Sequence, residues 1–338
     1  MIKLQQELQK KKQYTNERSE IMKKKVVIFG GGTGLSTLLK GLKDFPLDIT
    51  AIITVSDNGR STGRLREEFN MPAVGDIRQV ISNLSDTNES IKKMLEYRFE
   101  TSSDLNGHTV GNLILTSMFN ITGSLKKSIS NLSKLLDVHH KVLPLSEDRK
   151  ITLMATTKKG TIIEGESEIT ECKEKIDHIF YKKEPKVLPE VIEAIRNADL
   201  IIFSMGSLYT SLLPNIICNK VLDAIDKTNA PIMYICNAMT QPGETDHFTV
   251  GDHIEMINSY LNKRKIDVVI ASNSKIDKNI TKKYISEEQK DSVKIDKNKI
   301  SKMNVELIES DIFKVEDGKL RHDSIKLATL IMYYLMRD

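Results

Sequence analysis

The chain has 338 residues, of which 39% are hydrophobic and 28% are charged, and its formal net charge is +4. This length suits one large or two modest domains with a sizeable core, and the composition is that of an ordinary soluble protein. The weak net charge, with basic and acidic residues interspersed, gives no indication of nucleic-acid binding. The three cysteines are far apart in the chain, which favours a reducing cytosol over a disulfide framework or a zinc site.

Two further features concern location and domain boundaries. No apolar run approaches the ~18 residues of a membrane span, and no signal-peptide core follows the first charges, so we expect a cytoplasmic protein. Residues 1–22 are rich in Lys, Gln and Glu and cannot add much to a core. We therefore predict a polar extension over 1–22 and a single domain over 23–338.

A glycine-rich turn follows the first apolar run of the domain. Residues 26–29 are β-branched or aromatic, which predicts a central strand buried on both faces. Leucines then recur at helical spacing over 35–42, which predicts a helix. Between strand and helix stand four glycines: Gly30, Gly31, Gly32 and Gly34.

This turn is typical of a site for an anion. Glycine lets a phosphate approach the main chain, and the following helix offers unpaired N–H groups and the positive end of its dipole. Leu35 precedes Ser36 where an NTPase phosphate loop needs lysine, so that motif is excluded. The dinucleotide fingerprint is matched only in part. A strand-to-helix turn without a ligand is the alternative.

Polar residues also follow the second predicted strand, over 49–55. Asp57 and Asn58 come directly after it, and consecutive parallel strands place their carboxyl ends side by side, so both residues should lie near the glycine turn. A carboxylate there could bind a ribose hydroxyl, hold a metal ion or accept a proton. A solvated turn is the structural alternative.

Two predicted helices begin with polar residues. Gly75-Asp76 predicts a helix start that Asp76 caps, with Arg78 following. His108 and Asn112 stand at the beginning of another apolar helix, where a histidine is more often structural than functional.

The pattern changes near residue 137. Residues 141–144, 151–157 and 161–168 alternate apolar with polar side chains, and a Lys-Gly turn separates the last two, which predicts an antiparallel hairpin. We predict a small β-rich insertion over about 138–187.

Strands and helices then alternate again. A strand over 200–203 is followed by a second polar turn with Gly206, Ser207, Tyr209 and Thr210, and a strand over 232–236 is followed by Asn237 and Thr240. A helix over 250–261, strands over 268–271 and 305–308 and a terminal helix over 324–336 complete the prediction. Because polar clusters repeatedly follow apolar strands, the sequence predicts a ligand site along one rim of a parallel sheet.

The ordered series of motifs resembles the YvcK/CofD-like family, and more closely its YvcK branch of gluconeogenesis factors. The resemblance covers about 23–337 and rests on residues 30–36, 56–59, 61–66, 75–78, 108–115, 206–210 and 239–245. It implies a Rossmann-like three-layer α/β/α fold with a mostly parallel sheet. The YvcK branch implies nucleotide-sugar binding, notably UDP-N-acetylglucosamine, and a role in cell shape and wall synthesis during gluconeogenic growth.

The CofD branch implies a different activity, which remains the alternative. That branch transfers phospholactate from a nucleotide-activated donor to a deazaflavin alcohol with help from a divalent metal. If this chain is such a transferase, Asp57 and Asp76 are the candidate catalytic residues and the candidate ligands for Mg²⁺. Met205 and Arg60 depart from the family's usual motifs, so the identity of the ligand is less specified than the fold.

The resemblance and the predicted rim together define the candidate ligand-binding residues. Backbone N–H groups of the two turns would hold a diphosphate, Asp57 or Asn58 the sugar hydroxyls, and Asn237 or Thr240 the base or remaining sugar. The full set is Gly31, Gly32, Thr33, Gly34, Asp57, Asn58, Asp76, Arg78, His108, Asn112, Gly206, Ser207, Tyr209, Thr210, Asn237 and Thr240. Candidate partners are a nucleotide or nucleotide sugar, cell-wall synthesis proteins and further copies of the chain.

Overall fold

Seven parallel strands form the central sheet of the computed structural model, which describes residues 23–276, 284, 290–316 and 318–337. The predicted polar extension over 1–22 lies outside these residues. In chain order the strands are β1 (Lys24–Gly30), β2 (Leu47–Ile53), β3 (Lys141–Pro144), β4 (Leu153–Thr157), β5 (Ile162–Glu164), β6 (Ile176–Tyr181), β7 (Leu200–Phe203), β8 (Ile232–Ile235), β9 (Val268–Ser272), β10 (Glu306–Ser310), β11 (Phe313–Glu316) and β12 (Lys319–His322).

The helices connect these strands and cover the sheet. They are α1 (Gly32–Leu42), α2 (Arg60–Phe69), α3 (Gly75–Leu84), α4 (Glu89–Glu96), α5 (Val110–Thr122), α6 (Leu125–Leu135), α7 (Glu166–Glu171), α8 (Pro189–Arg196), α9 (Leu213–Ile216), α10 (Asn219–Lys227), α11 (Val250–Tyr260), α12 (Lys297–Ile300) and α13 (Ser324–Leu335). A π-helical turn, Leu208–Leu212, precedes α9. No helix within the described ranges combines the length and the apolarity that crossing a bilayer demands.

The order of the large sheet is β10-β9-β8-β7-β1-β2-β3. All its pairs are parallel, and β1 lies between β2 and β7. Along the chain, β2 and β3 are added on one side of β1, and β7 to β10 are then added on its other side. The point where this direction reverses is where parallel α/β sheets open a crevice for ligands. The prediction of a Rossmann-like three-layer fold is confirmed.

Two apolar cores, one on each face of the sheet, explain the uniformly apolar strands. Val26 and Ile28 of β1 face one core, and Val27 and Phe29 face the other. Successive residues of a strand point to opposite faces, so a central strand covered on both sides needs apolar residues at every position. The first strand was predicted on this basis.

The insertion begins later than predicted. β3 pairs with β2 in parallel, from Thr50 opposite Lys141 to Ile53 opposite Pro144, so it is an edge strand of the main sheet. The insertion proper contains a three-stranded antiparallel sheet of order β5-β4-β6, together with α7. The predicted hairpin corresponds to β4 and β5, but α7 was predicted as part of a strand.

Candidate functional site

The glycine-rich turn joins β1 to α1 at the centre of the sheet. Gly31 is the N-cap of α1, no side chain caps this helix, and Gly32 has a φ of 57° that favours glycine. A Cβ on Gly34 would lie 2.0 Å from the Met205 carbonyl oxygen, so the two polar turns can approach each other this closely only if residue 34 is glycine. The turn therefore presents backbone amides at the crevice between β1 and β7.

A cavity of about 490 Å³ opens over this turn. We call it the glycine-loop cavity. It is lined by Gly31, Gly32, Thr33, Gly34, Thr37, Met205, Gly206, Ser207, Ser211, Asn237, Ala238, Met239, Thr240, Gln241, Tyr284, Lys290, Lys319, Leu320, Arg321 and His322.

Among the described residues that line the glycine-loop cavity, the charged side chains are all cationic: Lys290, Lys319 and Arg321. The side chains of Lys319 and Arg321, both on β12, make no hydrogen bond or ion pair within the described parts of the chain. Backbone amides at a helix start and cationic side chains in the same cavity provide the chemistry that binds a diphosphate.

The second polar turn is held in place by Asn237. Gly206 N donates to Asn237 Oδ1 over 3.0 Å, and Asn237 Nδ2 donates to Gly206 O over 2.7 Å. Gly206 has a φ of 151°, which side chains rarely adopt. Asn237 thus fixes the conformation of the turn that faces the glycine loop.

Glu244 lies buried beneath the same turn, with 2% of its surface exposed. Ser207 Oγ donates to Glu244 Oε2 over 2.7 Å, and Gln241 Nε2 donates to Glu244 Oε1 over 2.6 Å. Burial raises the pKa of Glu244 to about 7, although these hydrogen bonds oppose the shift. Ser207 Oγ also accepts a hydrogen bond from Thr210 N over 3.1 Å.

A second cavity, of about 620 Å³, lies on the other side of the glycine turn. We call it the acidic cavity. It is lined by Asp57, Asn58, Gly59, Arg60, Ser61, Thr62, Gly75, Asp76, Arg78, Gln79, Arg98, Asn112, Glu166, Ser167, Thr170 and Glu171.

Three carboxylates line this cavity, and we call them the carboxylate triad: Asp57, Asp76 and Glu166. Burial, followed by the charge of Asp57, raises the pKa of Asp76 to about 6. Burial, followed by the charges of Asp57 and Asp76, raises the pKa of Glu166 to about 7. The shifts indicate a concentration of negative charge at the inner end of the cavity.

Asp76 does not cap its helix, contrary to the prediction. The N-cap of α3 is Val74, and Asp76 is the second helical residue. Its carboxylate instead accepts a hydrogen bond from the Gly32 backbone amide, which lowers its pKa and partly offsets burial. Asp76 therefore connects α3 to the glycine turn.

Ser61, His108 and Asn112 form a buried hydrogen-bonded group at the side of the acidic cavity. Asn112 Nδ2 donates to Ser61 Oγ over 3.2 Å, and Ser61 Oγ lies 2.8 Å from His108 Nδ1. Burial, followed by the neighbouring Arg64 charge, lowers the pKa of His108, which favours a neutral ring whose Nδ1 can accept a hydrogen bond from Ser61 Oγ. Asn112 Oδ1 has no hydrogen-bond partner among the described residues.

The glycine-loop cavity and the acidic cavity share a wall. A Cβ on Gly31, which lines the first, would lie 2.2 Å from Oδ2 of Asp76, which lines the second. Gln79 Nε2, in the acidic cavity, donates to Thr33 Oγ1 of the glycine turn over 3.4 Å. The glycine turn therefore lies between the two cavities.

Most of the predicted binding residues line one of the two cavities. The glycine-loop cavity contains Gly31, Gly32, Thr33, Gly34, Gly206, Ser207, Asn237 and Thr240, and the acidic cavity contains Asp57, Asn58, Asp76, Arg78 and Asn112. His108, Tyr209 and Thr210 line neither. Tyr209 is fully buried, and its hydroxyl donates to Met256 Sδ over 3.4 Å.

Several lining residues were not predicted. Lys319 and Arg321 come from the β11–β12 hairpin, and Glu166 comes from the insertion. Glu166 follows Gly165 in a stretch that alternates like a strand, so the sequence carries no signal for its position. Arg321 lies three residues before the terminal helix, which begins at Ser324.

The carboxylates fit a magnesium ion whose coordination shell is completed by oxygen atoms of a bound ligand. Among the residues described by the structure, no three His, Cys, Asp or Glu side chains are grouped to hold one metal ion. Mg²⁺ commonly takes one or two protein carboxylates and completes its shell with phosphate oxygens and water. Asp57 and Asp76 are close enough for one charge to raise the other's pKa, so they would supply such a pair.

Comparison with known proteins agrees with this architecture. The family model described as 2-phospho-L-lactate transferase CofD matches residues 26–313. A protein named gluconeogenesis factor from Bacillus subtilis (strain 168) is 43% identical over 311 residues, covering 92% of this chain and 98% of the relative. Another of the same name from Halalkalibacterium halodurans is 44% identical over 312 residues, covering 92% of this chain and 96% of the relative.

A crystal structure of a Bacillus halodurans protein has the same fold. It superimposes with a TM-score of 0.89 at 42% identity, and the match covers 92% of this chain and 100% of that one. The fold and its crevice define a Rossmann-like α/β protein with a glycine-turn site. The chain belongs to the CofD family and is similar to the gluconeogenesis factors within it.

Proposed function

We propose that this chain is a cytosolic regulatory protein that binds a nucleotide sugar, with UDP-N-acetylglucosamine as the candidate ligand. One observation carries the proposal: the glycine-loop cavity combines helix-start amides with the side chains of Lys319 and Arg321, which have no partner among the described residues, and none of its described lining residues is acidic. A diphosphate is the common ligand group that matches this lining. The position at the reversal point of the sheet supports the same assignment.

Within this proposal each group of residues has a role. The amides of Gly31, Thr33, Gly34 and Ser207 hold the diphosphate together with Lys319 and Arg321, because the Gly32 and Gly206 amides already donate to Asp76 and Asn237. The nucleoside lies toward the Asn237 to Gln241 side of the cavity. The sugar lies toward Asp57, whereas both ends of the Asn58 amide are bonded within the protein, to Ser167 N and Glu168.

The cellular role follows from the similarity to gluconeogenesis factors. We propose that the ligand-bound protein supports cell shape and wall synthesis during growth on gluconeogenic carbon sources, through contacts with wall-synthesis proteins. A strain that lacks its own gluconeogenesis factor tests this role. Wild-type protein should restore growth on such carbon sources, and a variant that cannot bind the ligand should not.

Calorimetry tests the binding proposal directly. Gly32→Asp places a carboxylate in the glycine-loop cavity, where the nearest atom to a new Cβ is Asp76 Oδ1 at 3.9 Å, so the variant should fold and lose UDP-N-acetylglucosamine binding. Gly123→Asp is the matched control, because Gly123 also has a positive φ, of 67°, and open space around it. Undiminished binding by Gly32→Asp would place the ligand elsewhere.

A metal-assisted transferase that uses a nucleotide-activated phospholactate donor is the second candidate. It is favoured by the Asp57–Asp76 pair beside the glycine turn, which fits Mg²⁺, and by the CofD family model. Mg²⁺ bound there would screen the diphosphate charge, and Asp76 would accept a proton from the attacking hydroxyl. Release of nucleotide from an activated donor in the presence of an acceptor alcohol, lost in Asp76→Asn, would support this activity. Binding without turnover would favour the regulatory protein.

A further inference from the structure

The acidic cavity carries charged side chains of both signs, and these charges do not pair with one another. Its charged lining residues are Asp57, Arg60, Asp76, Arg78, Arg98, Glu166 and Glu171. None of the three arginines forms an ion pair with any residue that the structure describes. No aliphatic or aromatic side chain lines the cavity within the described part of the chain, whereas ligand pockets are usually mostly apolar. An occupant of this cavity would therefore be hydrophilic and charged.

Arg78 is the least exposed of these arginines, and its guanidinium has no partner. Its aliphatic chain lies against the start of α5, where a Cβ on Gly111 would come within 2.6 Å of Arg78 Cγ. The buried Nε has no hydrogen-bond partner among the described residues. Burial lowers the pKa of Arg78, and the charges of Glu96 and Asp76 oppose this shift from beyond ion-pair distance. A half-buried guanidinium with unused donors favours an anion.

Asn112, which follows Gly111, supplies an independent indication of a ligand. It is 3% exposed and lines the acidic cavity. Its Nδ2 donates to Ser61 Oγ over 3.2 Å, but its Oδ1 has no hydrogen-bond partner among the described residues. A buried acceptor without a partner is destabilising unless a ligand or water supplies a donor. The cavity thus offers an unused donor on Arg78 and an unused acceptor on Asn112.

Carboxylates near Arg78 favour a positive group in the same cavity. Asp76 stands two residues before Arg78 on α3, and its charge is among the causes that raise the pKa of Glu166. A cation close to such a pair of carboxylates relieves their mutual repulsion. An anion alone would be repelled by these carboxylates, and a cation alone would be repelled by Arg78. The cavity therefore fits a molecule that carries both charges.

We infer that the acidic cavity is a second ligand site, which binds a small zwitterion of the α-amino acid class. The carboxylate of the zwitterion accepts hydrogen bonds from Arg78, in the fork geometry that guanidinium groups favour. Its ammonium group donates to Asn112 Oδ1 and to the carboxylates of Asp76 and Glu166. The hydroxyl and amide groups of the remaining lining suit a polar side chain. The two cavities share no lining residue, so the inference does not depend on the proposed nucleotide site.

Calorimetry with four polar amino acids tests this site. The probes are L-serine, L-threonine, L-asparagine and L-glutamine, each titrated in EDTA so that no metal ion occupies the carboxylates. Each probe is compared with its two analogues that lack the ammonium or the carboxylate group, which for serine are 3-hydroxypropionate and ethanolamine. The variants are Arg78→Met, which keeps an aliphatic chain against Gly111, and Arg196→Met, the same change at an exposed position on α8 outside the cavity.

At least one probe should bind wild-type protein with a Kd below about 1 mM, and both of its analogues should bind about tenfold or more weakly. Arg78→Met should weaken binding of that probe about tenfold or more, because hydrogen bonds between charged groups are lost. Arg196→Met should match wild type. If Arg78→Met does not fold, Glu166→Gln decides: it should weaken binding at least about threefold relative to Glu164→Gln, which lies outside the cavity.

The inference would be overturned if none of the four probes bound, if an analogue bound as tightly as its amino acid, or if Arg78→Met and Arg196→Met had equal affinities. UDP titrated into the same wild-type protein reports separately on the glycine-loop cavity. Amino-acid binding without UDP binding would overturn only the proposed function, and UDP binding without amino-acid binding would overturn only the inference.

Discussion

The glycine-loop cavity and the acidic cavity lie on two sides of one turn, yet their walls have opposite character. The first combines backbone amides with Lys290, Lys319 and Arg321, whereas the second concentrates Asp57, Asp76 and Glu166 at its inner end. One side suits an anion, and the other concentrates carboxylates beside Arg78, whose charge acts on Asp76. The glycine turn therefore separates two sites of different charge.

A substitution in the glycine turn should have the largest effect on the two cavities. Gly34→Ala puts a Cβ 2.0 Å from the Met205 carbonyl, so the two polar turns must separate. We expect the free energy of unfolding to fall by about 3 kcal/mol, measured by urea denaturation, together with loss of nucleotide binding. Gly123→Ala, which meets no atom within 4 Å, should cost only about 1 kcal/mol for its left-handed backbone. Similar losses in the two variants would contradict the close approach of the turns.

Charge reversal on β12 tests the anion-binding side. The double variant Lys319→Glu/Arg321→Glu should weaken UDP binding about a hundredfold, since hydrogen bonds to charged groups contribute about 1.5–3 kcal/mol each. Lys134→Glu, at an exposed position on α6 outside the cavity, is the control. Calorimetry at two salt concentrations measures both effects. If the control weakened UDP binding equally, the effect would come from the overall charge of the protein rather than from direct contact with β12.

The carboxylates of the acidic cavity should make the free energy of unfolding depend on pH. The folded-state pKa of Asp76 is raised to about 6 and that of Glu166 to about 7, so the folded protein holds more protons than the unfolded chain between about pH 4 and 7. The free energy of unfolding should therefore fall as pH rises through this range. Glu166→Gln should reduce that fall by about 1–2 kcal/mol.

Denaturation curves at several pH values provide the measurement, with Glu164→Gln as the control on the same insertion. Glu164 is exposed and pairs with Lys182 over 2.6 Å, so its loss should leave the slope unchanged. A rise of wild-type stability between about pH 5 and 7 would show that salt-bridged carboxylates outweigh the triad and Glu244.

Asn237 offers the smallest and most specific test, because sequence reasoning assigned it to the base or sugar. The structure shows both ends of its amide bonded to Gly206. Asn237→Ala should lower the free energy of unfolding by about 1 kcal/mol and weaken UDP and UDP-glucose to the same degree, through a loosened turn. Asn219→Ala, which removes an exposed amide that donates to Glu184, should change neither. A selective loss for one ligand would instead indicate direct contact with Asn237.

The parallel sheet and the convergence of the loops that follow its strands could be predicted from the sequence. Alternating strands and helices make strands parallel, and parallel strands end on one rim, so Thr33, Asp57 and Ser207 could be placed together before any coordinates. The lengths of the terminal helix and of α11 also followed from apolar spacing. These features depend on local pattern and general topology.

The remaining features depend on contacts between distant parts of the chain. Lys141–Pro144 has the same alternation as the hairpin strands, and only its pairing with β2 shows that it belongs to the main sheet. The sequence predicts Asp76 as a helix cap, but Asp76 is the second residue of α3, and its carboxylate accepts a hydrogen bond from the Gly32 amide. Glu166 reaches the acidic cavity because the insertion folds back over the loop after β2, which no periodicity encodes.

Asn58 ties that insertion to the loop after β2. Its Oδ1 accepts from Ser167 N over 2.9 Å, and its Nδ2 donates to Glu168 over 3.0 Å. A chimaera that carries the insertion of a related protein should keep α7 in place only if Asn58 and the residues at positions 167 and 168 are transferred together. The loop after β2 and the insertion should therefore be exchanged as one unit.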